Sequence, residues 1–253
     1  MFSSESPVME PVRVYLKMRM NYQKRVYHVS GIALHGGAGG GAGAIVRKED
    51  RIRRSIAQEA ARLMYEEGVR EYRDAKRKAA RRFGPEKALS LGSHLPSNAE
   101  IHGELQRLIG LHEEDVLPER LLRLRCAALR LMEMLAPFEP RLVGSVLTGA
   151  VTAHSDIDLH LFAASNEEVE EFLRGKGIPY ELEIVTIRHG GEFFDYPHIY
   201  LDDDGVVVEC TVYPLADIRR IPKSSITGKP MERAGAKKLR KLVAEGEEFD
   251  GKG

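Results

Sequence analysis

Gly-Ser-Val-Leu-Thr-Gly-Ala-Val-Thr-Ala-His-Ser-Asp-Ile-Asp-Leu-His-Leu-Phe, residues 144–162, is the stretch from which the fold of this chain is best predicted. At its start, Gly144-Ser145 follows the apolar pair Leu142-Val143, an order typical of a strand that runs into a turn. From residue 156 to 161, polar and apolar residues alternate with the period of a β-strand. We therefore expect one strand over 141–146 and a second over 155–162.

The second of these strands has one polar face. Asp156, Asp158 and His160 lie on that face, and the residues between them are apolar. Two neighbouring carboxylates repel each other and lose hydration, which is costly unless a positive charge lies between them. A divalent cation is the usual solution, so this strand predicts a metal site.

A third carboxylate lies far away in the sequence. Glu209 is the one carboxylate in the valine-rich run 206–213, where a charge is expensive unless it is paired. If that strand lies beside the aspartate strand, three carboxylates converge, and such a set suits one or two Mg²⁺ ions. Beside them, glycine at 144 would allow backbone N–H groups to approach a phosphate, and Ser145 adds a hydroxyl.

Composition sets limits on the class of protein. The chain has 253 residues, 43% of them hydrophobic and 30% charged, and its formal net charge is zero. It is therefore not a polyanion-binding protein as a whole, and any nucleic-acid contact would need a local basic patch. Two cysteines in apolar runs favour a reducing cytoplasm over a disulfide framework. No apolar run approaches the roughly 18 residues of a membrane span, and we expect no membrane partner.

The pattern changes along the chain predict an α+β protein with four parts. A flexible, glycine-rich segment occupies 1–48, and its glycine run at 36–43 fits neither a P-loop nor a dinucleotide-binding pattern. A helical domain follows over 49–135. The core domain, a small mixed β-sheet flanked by helices, occupies 136–215, and a basic tail with one short helix occupies 216–253.

One predicted helix, over 69–83, is strongly basic on one side. Its arginines and lysines form either a solvated face or a cradle for RNA or another acidic partner. The helical domain is therefore where we expect an RNA or protein partner, if the chain has one.

The combined motif resembles that of the polymerase β-like nucleotidyltransferase superfamily. Gly144-Ser145, ten intervening residues, Asp156-Ile157-Asp158 and the later strand residue Glu209 carry the likeness, which covers about 136–215. It is similar to the minimal bacterial members and to aminoglycoside nucleotidyltransferases. The resemblance implies a small mixed sheet flanked by helices and a cytoplasmic enzyme. It also implies that Mg²⁺ or Mn²⁺ is the cofactor and a nucleoside triphosphate, with ATP expected, is the substrate.

The resemblance also assigns roles to residues. It implies that Asp156, Asp158 and Glu209 hold the metal, that Glu209 serves as general base, and that Gly144-Ser145 binds the triphosphate. Many minimal members carry an arginine three residues after the glycine, and this chain does not. Three further residues are candidates for nucleotide contact: His154, Ser155 and His160.

Each histidine has an alternative interpretation. His154 either replaces part of the missing positive charge or is a turn residue in water. His160 either meets a phosphate or has a structural role behind the metal ligands. Five cations are further candidates for contact with the triphosphate or the acceptor, although each is more often a surface residue: Arg188, Arg219, Arg220, Lys223 and Lys229.

These observations leave alternative functions open. The leading hypothesis is an Mg²⁺-dependent enzyme that moves a nucleoside monophosphate onto a hydroxyl of a protein, a small molecule or an RNA end. The alternative is a catalytically silent nucleotide-binding or antitoxin-like interaction module of the same fold. A third, weaker hypothesis is an RNA-end-modifying enzyme that uses the basic helix.

Overall fold

The computed structural model describes residues 42–84, 95–113, 115–189 and 192–250, and among these it forms seven α-helices and a five-stranded mixed sheet. The architecture is the expected α+β class. Most of the predicted flexible segment 1–48, including most of its glycine run, lies outside the described residues. The chain is already helical at Ala42, the first described residue, so the helical part extends to before the predicted boundary at residue 49.

Three helices form a unit with its own apolar core. They are α1 (Ala42–Glu66), α2 (Tyr72–Ala80) and α3 (Asn98–His112). In the sequence, apolar residues at 52, 56, 60 and 63 recur at helical spacing and predict one buried face of α1, and Ile56, Ala60 and Leu63 are buried. It packs against alanines of α2 and against one face of α3: Ala75, Ala79, Ile101, Leu105 and Ile109.

Residues 97–100, Ser-Asn-Ala-Glu, have the sequence of a capping box, and this box forms at the start of α3. Ser97 Oγ accepts a hydrogen bond from the Glu100 backbone N–H at 3.2 Å, and Glu100 Oε2 accepts one from the Ser97 backbone N–H at 2.7 Å. The guanidinium of Arg53 on α1 donates to both carboxylate oxygens of Glu100, each at 2.8 Å. The cap therefore also ties α3 to α1.

The sheet is mixed, with strand order β1-β2-β5-β4-β3, and only the β2–β5 pair is parallel. Its strands are β1 (Arg141–Val143), β2 (Ile157–Ala163), β3 (Glu181–His189), β4 (Glu192–Asp203) and β5 (Val206–Pro214). Strands β4 and β5 are joined through Asp204-Gly205, both with positive φ (52° and 83°). Asp-Gly before an apolar run is typical of a tight hairpin turn, because both central residues of such a turn adopt left-handed conformations.

Helices cover one face of the sheet. In chain order these helices are α4 (Leu117–Met134), the short α5 (Gly144–Thr148), α6 (Asn166–Gly175) and α7 (Ala236–Asp250). Short 3₁₀ segments are formed by Ala136–Phe138 and Leu215–Arg219. In the sequence, apolar residues recur at helical spacing over 117–135, which predicts that this helix packs on the following sheet, and Leu124, Leu131 and Leu135 lie in the core of the sheet. Within the described residues, no helix has both the length and the apolar character needed to cross a bilayer.

The apolar core of the sheet extends beyond the predicted core domain 136–215. Leu124 and Leu131 of α4 and Leu239 and Val243 of α7 belong to the same buried cluster as the sheet. Just before α7, Ala234 exchanges two backbone hydrogen bonds with Leu142 of β1, at 2.8 and 2.9 Å. In packing terms, α4 and the C-terminal segment are therefore parts of the sheet unit.

Three local predictions require correction. The strand predicted over 141–146 ends at Val143, because Gly144 has φ +72° and begins helix α5. Residues 165–168, Ser-Asn-Glu-Glu, predict a capping box at the start of α6, but none forms, since the Glu168 carboxylate accepts from the Ala164 N–H instead. In β3, Leu182 and Ile184 alternate with glutamates, which predicts a strand with one polar face in water and an apolar face that is buried. The apolar side is instead largely exposed, at 39% for Leu182 and 52% for Ile184, because β3 is the edge strand and lies beyond the helices.

Candidate active site

The topology brings the predicted acids together. Because β2 and β5 are parallel neighbours, Asp158 lies directly opposite Glu209 on the face of the sheet away from the helix-packed core. Asp156 comes immediately before β2. One carboxylate oxygen from each of Asp156, Asp158 and Glu209 lies within 4.8 Å of the others. Cys210, the next residue on β5, faces the core and is buried, and both cysteines are free, as expected.

Gly144 makes this close arrangement sterically feasible. Its φ of +72° is in the left-handed region that favours glycine, and a Cβ at this position would lie 2.1 Å from Asp158 Oδ2. The backbone at the end of β1 therefore approaches the Asp158 carboxylate more closely than any side chain would allow. This contact gives the glycine of the motif a physical role.

The electrostatics of the site call for a cation. Burial raises the pKa of Asp158 well above its ordinary value, and the neighbouring charges of Asp156 and Glu209 raise it further. Arg70, from the turn between α1 and α2, forms an ion pair with Asp156. One arginine still leaves three clustered carboxylates with excess negative charge, and all three are oxygen ligands of the kind that Mg²⁺ and Mn²⁺ prefer. The donor set therefore fits the divalent cation that the sequence predicts.

His198 is a member of the site that sequence reasoning missed. It lies on β4 with 6% exposure, and its Nδ1 is 2.6 Å from Glu209 Oε1. Because an ionised carboxylate only accepts, Nδ1 donates and holds that oxygen in place. In the sequence, His198 lies within a run, 194–201, that predicts a strand. The sequence does not reveal its partner, which depends on the β4–β5 register: His198 lies opposite Thr211, two residues after Glu209 on β5.

The predicted phosphate-binding serines lie next to each other. The Ser145 hydroxyl donates to Ser155 Oγ at 3.4 Å, and Ser155 Oγ accepts from the Thr152 N–H at 2.9 Å. The two serines therefore connect helix α5 with the loop that leads into Asp156. Both line the same cavity as the acids. Their contact with a triphosphate stays a prediction.

The two histidines of the motif differ in their surroundings. His154 is exposed and packs against Gly68 between α1 and α2, where an added Cβ would lie 3.1 Å from the imidazole Cγ. His160 is buried and packs on Tyr213, with ring centroids 4.7 Å apart. Burial lowers the pKa of His160 to about 3, and the charge of Arg233 adds to the effect. A neutral, buried imidazole favours the structural role for His160 over a charged phosphate contact.

Of the five candidate cations, Lys229 lines the cavity, whereas Arg219, Arg220 and Lys223 do not. The side chain of the fifth, Arg188, lies outside the described residues. Arg233, which the sequence did not single out, does not line the cavity either. Its guanidinium lies 5.3 Å from the ring centre of Phe162 and 5.8 Å from that of Tyr213, on the same face of the sheet as the acids.

The cavity at the acids has a volume of about 1050 Å³ and lies between the helical unit and the sheet unit. Polar contacts between described residues join the units here. Besides the Arg70–Asp156 ion pair, the amide of Asn98 at the start of α3 donates to the Ser225 carbonyl at 2.8 Å. The helical unit therefore forms one wall of the site.

Three of the seven cations in the basic stretch 69–83 pair with carboxylates of the helical unit. Lys78 pairs with Glu67 at 2.5 Å, Arg77 with Asp74 at 3.1 Å, and Arg82 with Glu59 at 2.7 Å. Charges that are already paired attract phosphates weakly, so these contacts favour the solvated face over an RNA cradle.

Comparison with known proteins adds no assignment. No match to this sequence is found among protein-family models or among curated proteins. The resemblance to nucleotidyltransferases therefore depends on the motif residues themselves, and the geometry of the acid site is the basis for a functional proposal.

Proposed function

We propose that this chain is a divalent-cation-dependent nucleotidyltransferase of the polymerase β-like type, which moves a nucleoside monophosphate from a nucleoside triphosphate to a hydroxyl. The observation that carries the proposal is the convergence of Asp156, Asp158 and Glu209 within 4.8 Å beside Gly144. Three half-buried carboxylates in contact with a large cavity are costly unless they hold a cation. The serine pair next to them offers hydroxyls to a phosphate.

In this proposal Asp156, Asp158 and Glu209 hold Mg²⁺ or Mn²⁺. A bound ion would supply neutralisation of the charge on the phosphoryl oxygens. The oxygen of the acceptor hydroxyl forms a new bond to the α-phosphorus. The bond between the α-phosphorus and the oxygen that bridges it to the β-phosphorus breaks, and pyrophosphate leaves. Glu209 accepts the proton of the hydroxyl, and His198 holds the carboxylate in the orientation that this requires.

The size of the cavity supports a substrate larger than a phosphate ion. Ligand sites in proteins are typically about 300–1000 Å³, and the space of about 1050 Å³ is at the upper end. Such a volume accommodates a nucleoside triphosphate together with part of an acceptor. ATP is the expected donor, and the acceptor is a hydroxyl of a protein, a small molecule or an RNA end.

The test is transfer of label from α-³²P-labelled ATP, in the presence of Mg²⁺ or Mn²⁺, to a component of a cell extract. We expect Asp156→Asn and Asp158→Asn to lower labelling by at least about 10²-fold, the usual loss when a group that stabilises charge in the transition state is removed. Asp195→Asn is the matched control, because Asp195 is an exposed residue of β4 that does not line the cavity. Equal labelling by wild type and Asp158→Asn would refute the proposal.

A second measurement separates the enzyme from the silent module. Isothermal titration with ATP and Mg²⁺ reports binding without an acceptor. Binding combined with no labelling of any extract component and no pyrophosphate release would favour the nucleotide-binding module over the enzyme.

A further inference from the structure

We propose that the helical unit forms the nucleobase-binding wall of the site, with Tyr72, His102 and Gln106 as the contact residues. This inference rests on the proposed function, since it takes a nucleoside triphosphate as the ligand. From the sequence, we expect the helical unit to contact only an RNA or protein partner. In this inference the helical unit also recognises the substrate.

The position of these residues is the first argument. All three line the cavity that contains the acids, although they belong to α2 and α3 rather than to the sheet unit. The contacts between the units lie close to these residues in the chain: Arg70, two residues before Tyr72, pairs with Asp156, and Asn98, four residues before His102, donates to the Ser225 carbonyl. These contacts hold the helical unit against the sheet unit.

The chemistry of Tyr72 and His102 is the second argument. The Tyr72 hydroxyl lies 2.7 Å from His102 Nδ1. Burial raises the pKa of Tyr72 to about 12 and lowers the pKa of His102, so that both groups are neutral near pH 7. A neutral phenol can donate to Nδ1 or accept from it, so the contact holds the imidazole ring in place in either tautomer. His102 Nε2 is left to make one hydrogen bond, as a donor in one tautomer and as an acceptor in the other.

Gln106 completes a neutral recognition surface. It lies four residues after His102 on α3, so both side chains are on the same side of the helix. Its exposed amide offers donors and an acceptor, the combination that hydrogen-bonds to the edge of a base. Val69 and Leu105, which also line the cavity, supply apolar contact area for a ring.

The opposite side of the cavity differs in polarity. It carries the three acids, Ser145 and Lys229, which suit a cation and a triphosphate. Two charged residues of the helical unit, Arg70 and Glu71, also line the cavity, and Arg70 forms an ion pair with Asp156. The rest of the helical lining, including Tyr72, His102 and Gln106, is uncharged, and an uncharged heterocycle with hydrogen-bonding edges matches it well. The contrast between the two sides therefore points to the base at the helical unit and the phosphates at the sheet unit.

The test is equilibrium binding by the full-length chain with Mg²⁺. The probes are ATP, GTP, CTP, UTP and inorganic tripolyphosphate, which has the phosphates but no base. We expect Gln106→Ala and His102→Ala each to weaken binding of the preferred nucleotide about fivefold to tenfold, the effect of one lost hydrogen bond. Tripolyphosphate affinity should stay within about twofold of wild type. Arg107→Ala is the matched control, because Arg107 pairs with Glu104 on α3 and does not line the cavity.

The outcomes distinguish this inference from the proposed function. Nucleotide binding by wild type that is unchanged in both variants would overturn the base wall and leave the nucleotidyltransferase proposal intact. Equal losses for nucleotide and tripolyphosphate would also overturn it, since the residues would then act on the phosphates or on the fold. Gln106 is exposed, so its variant should fold normally. Absence of binding of any probe to wild type would overturn both proposals.

Discussion

Gly144 has two properties at the residue scale that no other amino acid combines. It adopts φ +72°, and it leaves no atom in the space that Asp158 Oδ2 occupies. Gly177, at the end of α6, shares only the first property. Its φ is +67°, but a Cβ there would meet nothing within 4 Å. Comparison of alanine substitutions at Gly144 and Gly177 therefore distinguishes the effect of backbone strain from the effect of a steric clash with Asp158.

We predict that Gly144→Ala abolishes Mn²⁺ binding, because the new Cβ pushes the Asp158 carboxylate out of the cluster. We expect Gly177→Ala to cost about 1–2 kcal/mol in the free energy of unfolding, from left-handed strain alone, and to leave Mn²⁺ binding unchanged. Electron paramagnetic resonance of Mn²⁺ and urea unfolding measure the two quantities. Retention of Mn²⁺ binding by Gly144→Ala would show that the close approach to Asp158 is dispensable.

At the scale of one element, the N-terminus of α3 depends on Glu100. Hydrogen bonds from Arg53 lower the pKa of Glu100 to about 2, with the capping contacts to Ser97 adding to the effect. A carboxyl group whose pKa is lower in the folded state than its ordinary value of 4.5 contributes stability above that value. The contribution is lost as the pH falls from about 4.5 through about 2.

The prediction is that Glu100→Gln is less stable than wild type at pH 7 and that the difference shrinks between pH 5 and pH 2.5. Glutamine keeps the capping geometry but removes the charge. Because the Glu100 side chain is 42% exposed, solvent screening limits the difference to about 1 kcal/mol. Urea unfolding at several pH values measures it, with Glu104→Gln as a control on the same helix. A difference that is constant with pH would contradict the role of the charge.

At the scale of the whole molecule, Arg70 links the helical unit to the sheet unit at the acid cluster. Its guanidinium pairs with Asp156, so the helical unit supplies positive charge to the acid cluster of the sheet unit. A divalent cation at the cluster would compete with this ion pair for the carboxylate. The docking of the helical unit and the affinity for a cation are therefore coupled.

Arg70→Gln should bind Mn²⁺ about fivefold more tightly than wild type, since removal of a competing ion pair contributes about 1 kcal/mol. In the absence of divalent ions the variant should have a lower Tm, because the acids then repel without compensation. Lys78→Gln, which removes a cation of α2 that pairs with Glu67, is the matched control. The measurement is thermal unfolding of each variant with and without Mn²⁺. If Mn²⁺ raises the Tm of Arg70→Gln by the same amount as the Tm of wild type, the coupling is excluded.

Short-range patterns in the sequence determined much of this molecule. The α+β class, the stripes of α1 and α4, the cap at Ser97, the Asp204-Gly205 turn and the shared face of Asp156 and Asp158 all follow from periods and spacings within a few residues. Local sequence also indicated that Glu209 needed a partner, because an ionised group among valines is costly.

Tertiary structure alone decided which residues meet. The parallel pairing of β2 with β5 places Glu209 opposite Asp158, the β4–β5 register brings His198 to Glu209, and the docking of the helical unit brings Arg70 to Asp156. These partners are distant in the chain, and their encounter depends on how strands pair and units pack rather than on any local period. For the same reason, the exposed apolar side of β3 became evident only when the strand order placed it at the edge of the sheet.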